Sequence, residues 1–292
     1  MKLLITGANG QLGQALIAAC VARNISFTAT TRADFDICQP ENIDEQLALH
    51  QPSIVVNAAA YTAVDKAESE PDQAFLINEF GVKNLAIACK HRDIPLIHIS
   101  TDYVFAGNAN RPYQTTDDCD PQTVYGASKL AGERAIAAIL PSHLIIRTAW
   151  LYSEYGNNFV KTMLRLANLR DSVSVVDDQI GCPTYAPDLA KVILAVADKL
   201  LEPYWQTYGI YHFVGNEMMS WFEFAKKIMT IRENISAKTV KVSAISSAQY
   251  PTAAKRPGYS VLAGQKLFID FGIAANSTDT STAIAHIIGR MG

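Results

Sequence analysis

The sequence predicts an α/β fold, in which a doubly wound parallel sheet is joined to a smaller C-terminal lobe. Two observations support this prediction. Apolar runs of strand length alternate with helix-length stretches through the first half of the chain, and the first run leads through closely spaced glycines into a helix. Near-continuous apolar strands separated by helices are typical of a parallel sheet covered on both faces and joined by right-handed crossovers. Ligands of such sheets bind beyond the carboxyl ends of the strands, so a site is expected there.

Five apolar runs are predicted to be strands, and four stretches between them are predicted to be helices. The predicted strands are 2–6, 26–30, 53–59, 95–100 and 143–148. The predicted helices are 14–22, 41–50, 72–92 and 124–138. A helix thus separates each strand from the next, as the crossovers of a parallel sheet require.

A glycine-rich turn follows the first predicted strand. Its glycines are Gly7, Gly10 and Gly13, and Gln11 and Leu12 stand between the last two. Such a turn lets backbone N–H groups approach a pyrophosphate at the positive end of the helix, and it lets the helix pack closely on the sheet. The alternative is a loop that needs glycine only for a positive φ angle. The order of strand, glycine turn and helix favours a dinucleotide site.

The glycine turn assigns residues 1–148 to a dinucleotide-binding domain. The later chain is less regular, but a helix and a strand are predicted within residues 188–214. That segment is predicted to return to the first domain and to extend its sheet. Residues 149–187 and 215–292 are predicted to form the smaller, substrate-binding lobe.

Composition and charge limit the classes of partner. The 292 residues are 49% hydrophobic and 18% charged, which is ordinary for a globular enzyme with one large and one smaller domain. A net charge of -3 gives no general attraction to nucleic acid or to an anionic membrane, so neither is an expected partner. The chain starts inside its first strand and lacks an apolar stretch of about 18 residues, so a cytoplasmic protein is expected. Its 5 scattered cysteines lack a Cys-x-x-Cys spacing, so no disulfide framework or zinc site is expected.

Tyr125 and Lys129 are the most informative pair in the chain. Their spacing places a phenol and an ammonium group on one face of the predicted helix. An adjacent cation stabilises the phenolate, so Lys129 is predicted to lower the pKa of Tyr125 toward useful acid–base strength. The alternative is a half-buried tyrosine packed on a lysine stem. The glycine turn upstream favours the catalytic interpretation.

Two further strand ends supply candidate site residues. Thr101 follows the fourth predicted strand, and Asp102 and Tyr103 come directly after it. The Thr101 hydroxyl is predicted to hydrogen-bond the carbonyl oxygen of a substrate, and the alternative is a side-chain cap on a turn. The alanine run 58–60 ends the third strand, and its small side chains allow a flat ribose or nicotinamide to lie against the backbone. Close packing alone is the other explanation for that run.

The end of the second predicted strand bears on the choice of cofactor. An NAD-selective site usually places a carboxylate there, on the ribose 2′-hydroxyl. This chain has Thr30, Thr31 and Arg32 instead, and a guanidinium fork pairs well with a 2′-phosphate. NADPH is therefore the predicted cofactor. NADH stays the alternative, because Asp34 or Asp36 on the following loop can reach back to the ribose.

Together these motifs resemble the extended short-chain dehydrogenase/reductases that act on sugar nucleotides, and the resemblance covers nearly the whole chain. The glycine turn, the strand ends and the Tyr125 and Lys129 pair are shared by the superfamily. The more specific motifs are Arg-Thr-Ala-Trp at 147–150, Asn-Asn-Phe at 157–159, Asp-Gln-Ile-Gly-Cys-Pro-Thr at 178–184 and Arg-Pro at 256–257. The resemblance implies a Rossmann-type sheet with a substrate lobe.

The resemblance also implies hydride transfer from NADPH to the C4 carbonyl of a dTDP-sugar substrate. Tyr125 would protonate the alkoxide, Lys129 would hold the cofactor ribose, and Thr101 would orient the carbonyl. Predicted cofactor-binding residues are Gly7, Gly10, Gln11, Leu12, Gly13, Arg32, Asp36, Ile37, Ala58, Ala59, Ala60, Tyr125 and Lys129. Predicted substrate-binding residues are Thr101, Asp102, Tyr103, Tyr125, Trp150, Asn158, Gln179 and Arg256. An ordinary core tryptophan is the alternative for Trp150.

The chain departs from part of that family in its first helix. Some members use a glutamate there to help bind a magnesium ion across a dimer interface. This chain has Ala15 instead, and the neutral Gln14 is a poor ligand for a hard cation. No metal site is therefore expected, and a homodimer stays open.

Two other functions also stay open. An epimerase or dehydratase of the same family would share the glycine turn and the Tyr125 and Lys129 pair, but it would return the hydride to its substrate within one turnover. A non-catalytic subunit resembling the regulatory subunit of methionine adenosyltransferase would act through a partner protein. Net consumption of NADPH separates the reductase from both.

Overall fold

Six parallel strands form the central sheet in the computed structural model, which describes residues 1–234, 239–273 and 277–291. In chain order the strands are β1 (Lys2–Thr6), β2 (Ser26–Thr30), β3 (Ile54–Asn57), β4 (Leu96–Thr101), β5 (His143–Thr148), β6 (Leu151–Tyr152), β7 (Ser172–Val176), β8 (Ile180–Gly181), β9 (Thr184–Tyr185), β10 (Gly209–His212), β11 (Met219–Ser220) and β12 (Lys241–Ile245). The sheet has the order β10-β5-β4-β3-β1-β2, and every neighbouring pair is parallel. The chain winds in opposite directions from β1 and β3, which opens a crevice at their carboxyl ends.

Helices cover both faces of this sheet. In chain order, the helices of the described residues are α1 (Gln11–Ala22), α2 (Pro40–His50), α3 (Val64–Ala67), α4 (Pro71–Phe75), α5 (Val82–His91), α6 (Val124–Ile139), α7 (Phe159–Leu169), α8 (Ala186–Leu200), α9 (Trp221–Glu233), α10 (Gln265–Phe271) and α11 (Thr280–Met291). A π-helical turn, Leu76–Gly81, joins α4 to α5. Within the described residues, no helix combines the length and the apolar character that crossing a bilayer requires.

Apolar side chains point to both faces of the sheet because successive strand residues alternate in direction. Leu3 and Ile5 of β1 belong to a buried cluster that includes apolar residues of α1 and α8. Leu4 belongs to a second buried cluster, with residues of α2, α5 and α6. The predicted doubly wound parallel sheet is therefore confirmed.

All four predicted helices differ from their observed bounds, α2 and α6 by one residue each and the other two by more. Helix α1 begins at Gln11 rather than at residue 14, because Gly10 already serves as its N-cap. The predicted helix 72–92 is interrupted by the π-helical turn. A Cβ atom on Gly132 of α6 would lie 2.0 Å from the carbonyl oxygen of Asn78 in this turn. Glycine at position 132 therefore allows α6 to pack against the widened turn.

Later segments of the chain contribute to the same sheet. Strand β10 pairs with β5, and α8 packs beside α1. Leu267 and Phe271 of α10 also belong to the cluster on that face, although they fall within the predicted substrate lobe. The predicted domain bounds stay a prediction.

A separate apolar cluster lies in the second half of the chain. It includes residues of α7, α9 and α11 and of β7, and β7 pairs in parallel with β12. Phe224 and Ile228 are fully buried at its centre. Residues 235–238, 274–276 and 292 of the predicted substrate lobe lie outside the described residues.

Candidate active site

A cavity of about 970 Å³ lies at the carboxyl ends of the sheet strands. Most of the residues predicted for the site line it. They are Gly7, Gly10, Gln11, Leu12, Arg32, Asp36, Ile37, Ala58, Ala59, Ala60, Thr101, Asp102, Tyr103, Tyr125, Lys129 and Trp150. Four predicted residues, Gly13, Asn158, Gln179 and Arg256, lie away from its lining.

The glycine turn holds α1 close to the end of β3. Gly7 has a φ of +71°, and a Cβ atom there would lie 2.7 Å from the backbone of Ala58. A Cβ atom on Gly13 would lie 2.3 Å from the carbonyl oxygen of Gly7. Gly13 therefore packs against the backbone of the turn and does not line the cavity, while Gly10 caps the helix at the cavity. This is the packing role that the third glycine of a dinucleotide turn serves.

Tyr125 lies in the first turn of α6, which begins at a side-chain cap. The Thr123 hydroxyl accepts the N–H of Gly126 at 3.0 Å, and this bond fixes the start of the helix. The Tyr125 ring meets the Tyr103 ring edge to face, with 5.5 Å between centroids. Burial raises the pKa of Tyr125, and a hydrogen bond with Thr101 partly opposes that effect.

Lys129 lies one turn further along α6 and is 1% exposed. Its Nζ atom donates to the carbonyl oxygen of Ile99 at 2.6 Å and lies 3.1 Å from Nε2 of His98. Burial lowers the pKa of Lys129 to about 8. The predicted lowering of the Tyr125 pKa by Lys129 is not found in this structure, because burial of the phenol dominates and Lys129 is bonded to β4.

The Thr101 hydroxyl is already engaged at the end of β4. It donates to Oδ1 of Asp102 at 2.9 Å and accepts the N–H of Tyr103 at 3.2 Å. Thr101 thus caps the following turn, as the alternative interpretation expected, and also lines the cavity. The Asp102 carboxyl is 4% exposed, and its Oδ2 atom has no partner among the described residues.

Burial raises the pKa of Asp102 from 3.8 to about 6, and this shift predicts a pH-dependent stability. Between these values the folded state binds more protons than the unfolded chain. The contribution of Asp102 is therefore full below the unfolded pKa and is lost as the pH rises through the folded pKa. Relative to Asp102→Asn, the wild type should lose up to about 3 kcal/mol of unfolding free energy between about pH 4 and about pH 8. Urea denaturation of both proteins across this range measures the difference, and parallel pH profiles would contradict the prediction.

Arg256 reaches the site through Tyr103. Its guanidinium donates to the Tyr103 hydroxyl at 3.0 Å and to Oδ2 of Asp65 at 2.6 Å. Arg256 also lines a smaller cavity of about 190 Å³, and Tyr103 lines both this cavity and the main one. The two bonds engage two of the five N–H donors of the guanidinium, so the predicted contact of Arg256 with substrate stays a prediction.

Asn158 and Gln179 make structural contacts. Asn158 caps α7 by accepting the N–H of Lys161, and its amide donates to Oε1 of Gln11 at 2.9 Å. Gln179 is 7% exposed and donates to the hydroxyl of Ser247 at 2.8 Å. Both amides are held by the protein, so their predicted contact with substrate stays a prediction.

Trp150 lines the cavity and also takes part in an aromatic stack. It follows β5 with a φ of +48°, and its ring stacks on Trp221 with 3.5 Å between centroids. Gly181 lies so close that a Cβ atom there would be 2.5 Å from the Trp150 ring. The stacking partner was missed in the sequence, because Trp221 is far along the chain and carries no local motif.

Two hydroxyls on the cavity wall were also missed. The side-chain oxygens of Ser100 and Thr148 are buried and have no partner among the described residues. Both residues stand at the ends of predicted strands, so the rule that ligands bind at carboxyl ends could have identified them. Phe35 and Cys38 line the cavity from an irregular loop, which offers no such signal.

The loop after β2 leaves Arg32 open to the cavity. The Asp34 carboxylate accepts the N–H and the hydroxyl of Thr31, so it closes its own turn. Asp36 accepts the N–H of Cys38 at 3.0 Å and lies 3.5 Å from Nε of Arg32. The Arg32 side chain is 69% exposed, which leaves its terminal nitrogens available for a phosphate.

Arg32→Ala should raise the KM for NADPH by about tenfold or more and leave the KM for NADH nearly unchanged, because a charge-assisted pair with the 2′-phosphate is lost. Steady-state kinetics with both cofactors measures this. Arg23→Ala, at an exposed pair with Asp198, is the matched control. A wild-type preference for NADH, or an equal loss with both cofactors, would contradict the prediction.

Comparisons with known proteins agree with this geometry. A family model described as RmlD substrate binding domain matches residues 1–291. The chain is 44% identical to the dTDP-4-dehydrorhamnose reductase of Sinorhizobium fredii (strain NBRC 101917 / NGR234) over 283 residues, covering 97% of this chain and 95% of that relative. A crystal structure of a dTDP-4-dehydrorhamnose reductase from Clostridium acetobutylicum ATCC 824 is similar with a TM-score of 0.91 at 38% identity, covering 100% of this chain and 99% of that one. The dTDP-4-dehydrorhamnose reductase of Bacillus anthracis str. Ames, in complex with NADP, has a TM-score of 0.90 at 37% identity and 98% coverage of both chains.

Proposed function

Because the chain belongs to the family described as RmlD substrate binding domain, we propose that it reduces the C4 carbonyl of dTDP-4-dehydro-L-rhamnose to dTDP-L-rhamnose, with NADPH as hydride donor. One observation of the structure supports this proposal above the others. Thr101, Tyr125 and Lys129 line the same cavity as the glycine turn. A proton donor and a dinucleotide turn therefore face one space.

The glycine turn fits a dinucleotide. Only glycine at position 7 leaves the turn this close to β3, since a Cβ atom would meet the Ala58 backbone at 2.7 Å. The first turn of α1 follows Gly10 directly and presents unpaired N–H groups and a partial positive charge, which favour a phosphate. NADPH bound there would supply the hydride.

The chain itself would supply the proton and the orientation. Because burial raises the Tyr125 pKa, its hydroxyl stays protonated near neutral pH and can donate to the more basic alkoxide. The carbonyl oxygen would lie between the Tyr125 and Thr101 hydroxyls, and Thr101 would turn from Asp102 toward it. Lys129 would hold the cofactor ribose from the same helix face.

The test is an assay of purified protein with dTDP-4-dehydro-L-rhamnose and NADPH carrying deuterium at the transferred position. The proposal predicts stoichiometric loss of NADPH absorbance and a product with deuterium on C4. Thr101→Val, which keeps shape and removes the hydroxyl, should lower kcat/KM with little change in cofactor affinity.

The assay also separates the alternatives. An epimerase or dehydratase would change the sugar without net loss of NADPH. A non-catalytic subunit would neither change the sugar nor consume NADPH. Either of these results would overturn the proposal.

The proposal also includes a homodimer, a cytoplasmic location and the division into a dinucleotide domain and a substrate lobe. Light scattering after size exclusion, cell fractionation and limited proteolysis test them in turn.

A further inference from the structure

His98 is a buried titratable residue that the proposed reaction does not use. It lies on β4 and has 0% exposed surface. Its Nε2 atom is 3.1 Å from Nζ of Lys129, and its Nδ1 atom is 3.0 Å from Nδ2 of Asn57 on β3. The ring thus connects a buried amide to the lysine of the candidate active site.

The direction of these hydrogen bonds is set by the backbone. Oδ1 of Asn57 accepts the N–H of Ala59 at 3.1 Å and the hydroxyl of Thr6 at 2.6 Å. A backbone N–H can only donate, so the amide oxygen is assigned and the amide nitrogen must face His98. Nδ1 of His98 is then the acceptor. Burial and the nearby Lys129 lower the His98 pKa well below 6.5, so the ring is neutral and carries its hydrogen on Nε2.

That hydrogen points at Lys129. An ammonium group has three donors and no acceptor, so it cannot accept from Nε2–H, whereas a neutral amine can. The amine also donates to the carbonyl oxygen of Ile99 at 2.6 Å. Resting on the cofactor role of Lys129 in the proposed function, we propose that His98 is a positioning residue whose Nε2–H favours the neutral amine form of Lys129 over the ammonium form in the free enzyme.

The charged groups around Lys129 are compatible with this state. On α6, Tyr125 is neutral near pH 7, because burial raises its pKa. Glu133, also on α6, favours the ammonium form, but Arg147 of β5 pairs with it. Asp102, just beyond β4, adds one carboxylate above about pH 6. Burial outweighs these groups and lowers the Lys129 pKa to about 8, so the neutral amine is the main form in the free enzyme only above about pH 8.

Cofactor binding would then be coupled to proton uptake. Ribose hydroxyls accept hydrogen bonds and the diphosphate is anionic, so both favour the ammonium form of Lys129 in the complex. Affinity for NADPH should therefore fall as the pH rises above the pKa of the free enzyme, by about tenfold per pH unit at the limit. The 2′-phosphate ionises at about pH 6, below this window.

The first experiment determines the tautomer in the wild type without any ligand. Long-range proton–nitrogen NMR on protein with labelled histidine resolves the 6 side chains. For His98 we expect a neutral ring, with Nδ1 bare and Nε2 protonated, at about pH 9, where Lys129 is mainly a neutral amine. A hydrogen on Nδ1, or titration near the ordinary histidine pKa, would overturn the proposal. This result is independent of whether the sugar is reduced.

The second experiment uses His98→Gln, whose amide oxygen can turn to Lys129 and accept from an ammonium. NADPH affinity is measured by fluorescence from about pH 7 to about pH 9.5, without sugar. Between neutral pH and the alkaline end of this range, the NADPH affinity of the wild type should fall about tenfold more than the NADPH affinity of the variant. His143→Gln, a histidine of β5 that bonds the carbonyl oxygen of Leu140, should keep the wild-type profile.

Identical pH profiles for wild type and His98→Gln would overturn the proposal. If the variant does not fold, the wild-type tautomer decides alone. A protein that shows this pH dependence but does not reduce the keto sugar would overturn the proposed function and leave the role of His98 in place.

Discussion

Tyr125→Phe is expected to lower kcat by about a hundredfold or more, because it removes the proton donor and leaves the ring in place. The phenylalanine ring keeps the edge-to-face contact with Tyr103, which lies 5.5 Å away between centroids. Cofactor affinity should therefore change little. Steady-state kinetics with the keto sugar, together with NADPH titration, measures both quantities. Tyr152→Phe, at a tyrosine buried in the second-half cluster, is the matched control.

The pH dependence of this step follows from the direction of the Tyr125 pKa. Burial raises it above 10, so the donor remains protonated across the neutral and mildly alkaline range. The wild-type kcat should then show no loss from deprotonation of Tyr125 in that range. Near-normal turnover in Tyr125→Phe would remove Tyr125 from the proposed role.

Glu133→Gln is expected to lower the unfolding free energy by about 3 kcal/mol or more, because it leaves a buried guanidinium without its counter-charge. Arg147 donates to both carboxylate oxygens of Glu133, at 2.9 and 2.6 Å, and both side chains are 2% exposed. The guanidinium also lies 5.0 Å from the centre of the Phe105 ring. Urea denaturation measures the loss.

A matched pair at the surface shows whether burial is the cause. Arg23 and Asp198 are 2.6 Å apart, but their side chains are 43% and 47% exposed. Asp198→Asn should cost less than about 1 kcal/mol, because water screens the pair. Replacing Glu133 and Arg147 together by methionine should cost less than Glu133→Gln alone, since no charge is left unpaired. Equal losses in Glu133→Gln and Asp198→Asn would contradict this account.

Local patterns in the sequence were sufficient for the fold class and for bringing Tyr125 and Lys129 to the candidate site. Apolar runs of strand length and the intervening helices predicted the parallel sheet, because these patterns depend on neighbouring residues alone. The four-residue spacing placed Tyr125 and Lys129 on one helix face, and both line the cavity. The glycine turn likewise lies where the order of strand and helix placed it.

Tertiary packing alone decided what those side chains contact. Lys129 bonds to His98 and Ile99, some 31 and 30 residues away, and Arg256 bonds to Asp65, which is 191 residues away. No local period encodes such pairs, because their geometry depends on how the helices seat on the sheet. The pKa values follow the same rule: the sequence supplies the phenol and the amine, but burial, which exists only in the folded chain, raises the one and lowers the other.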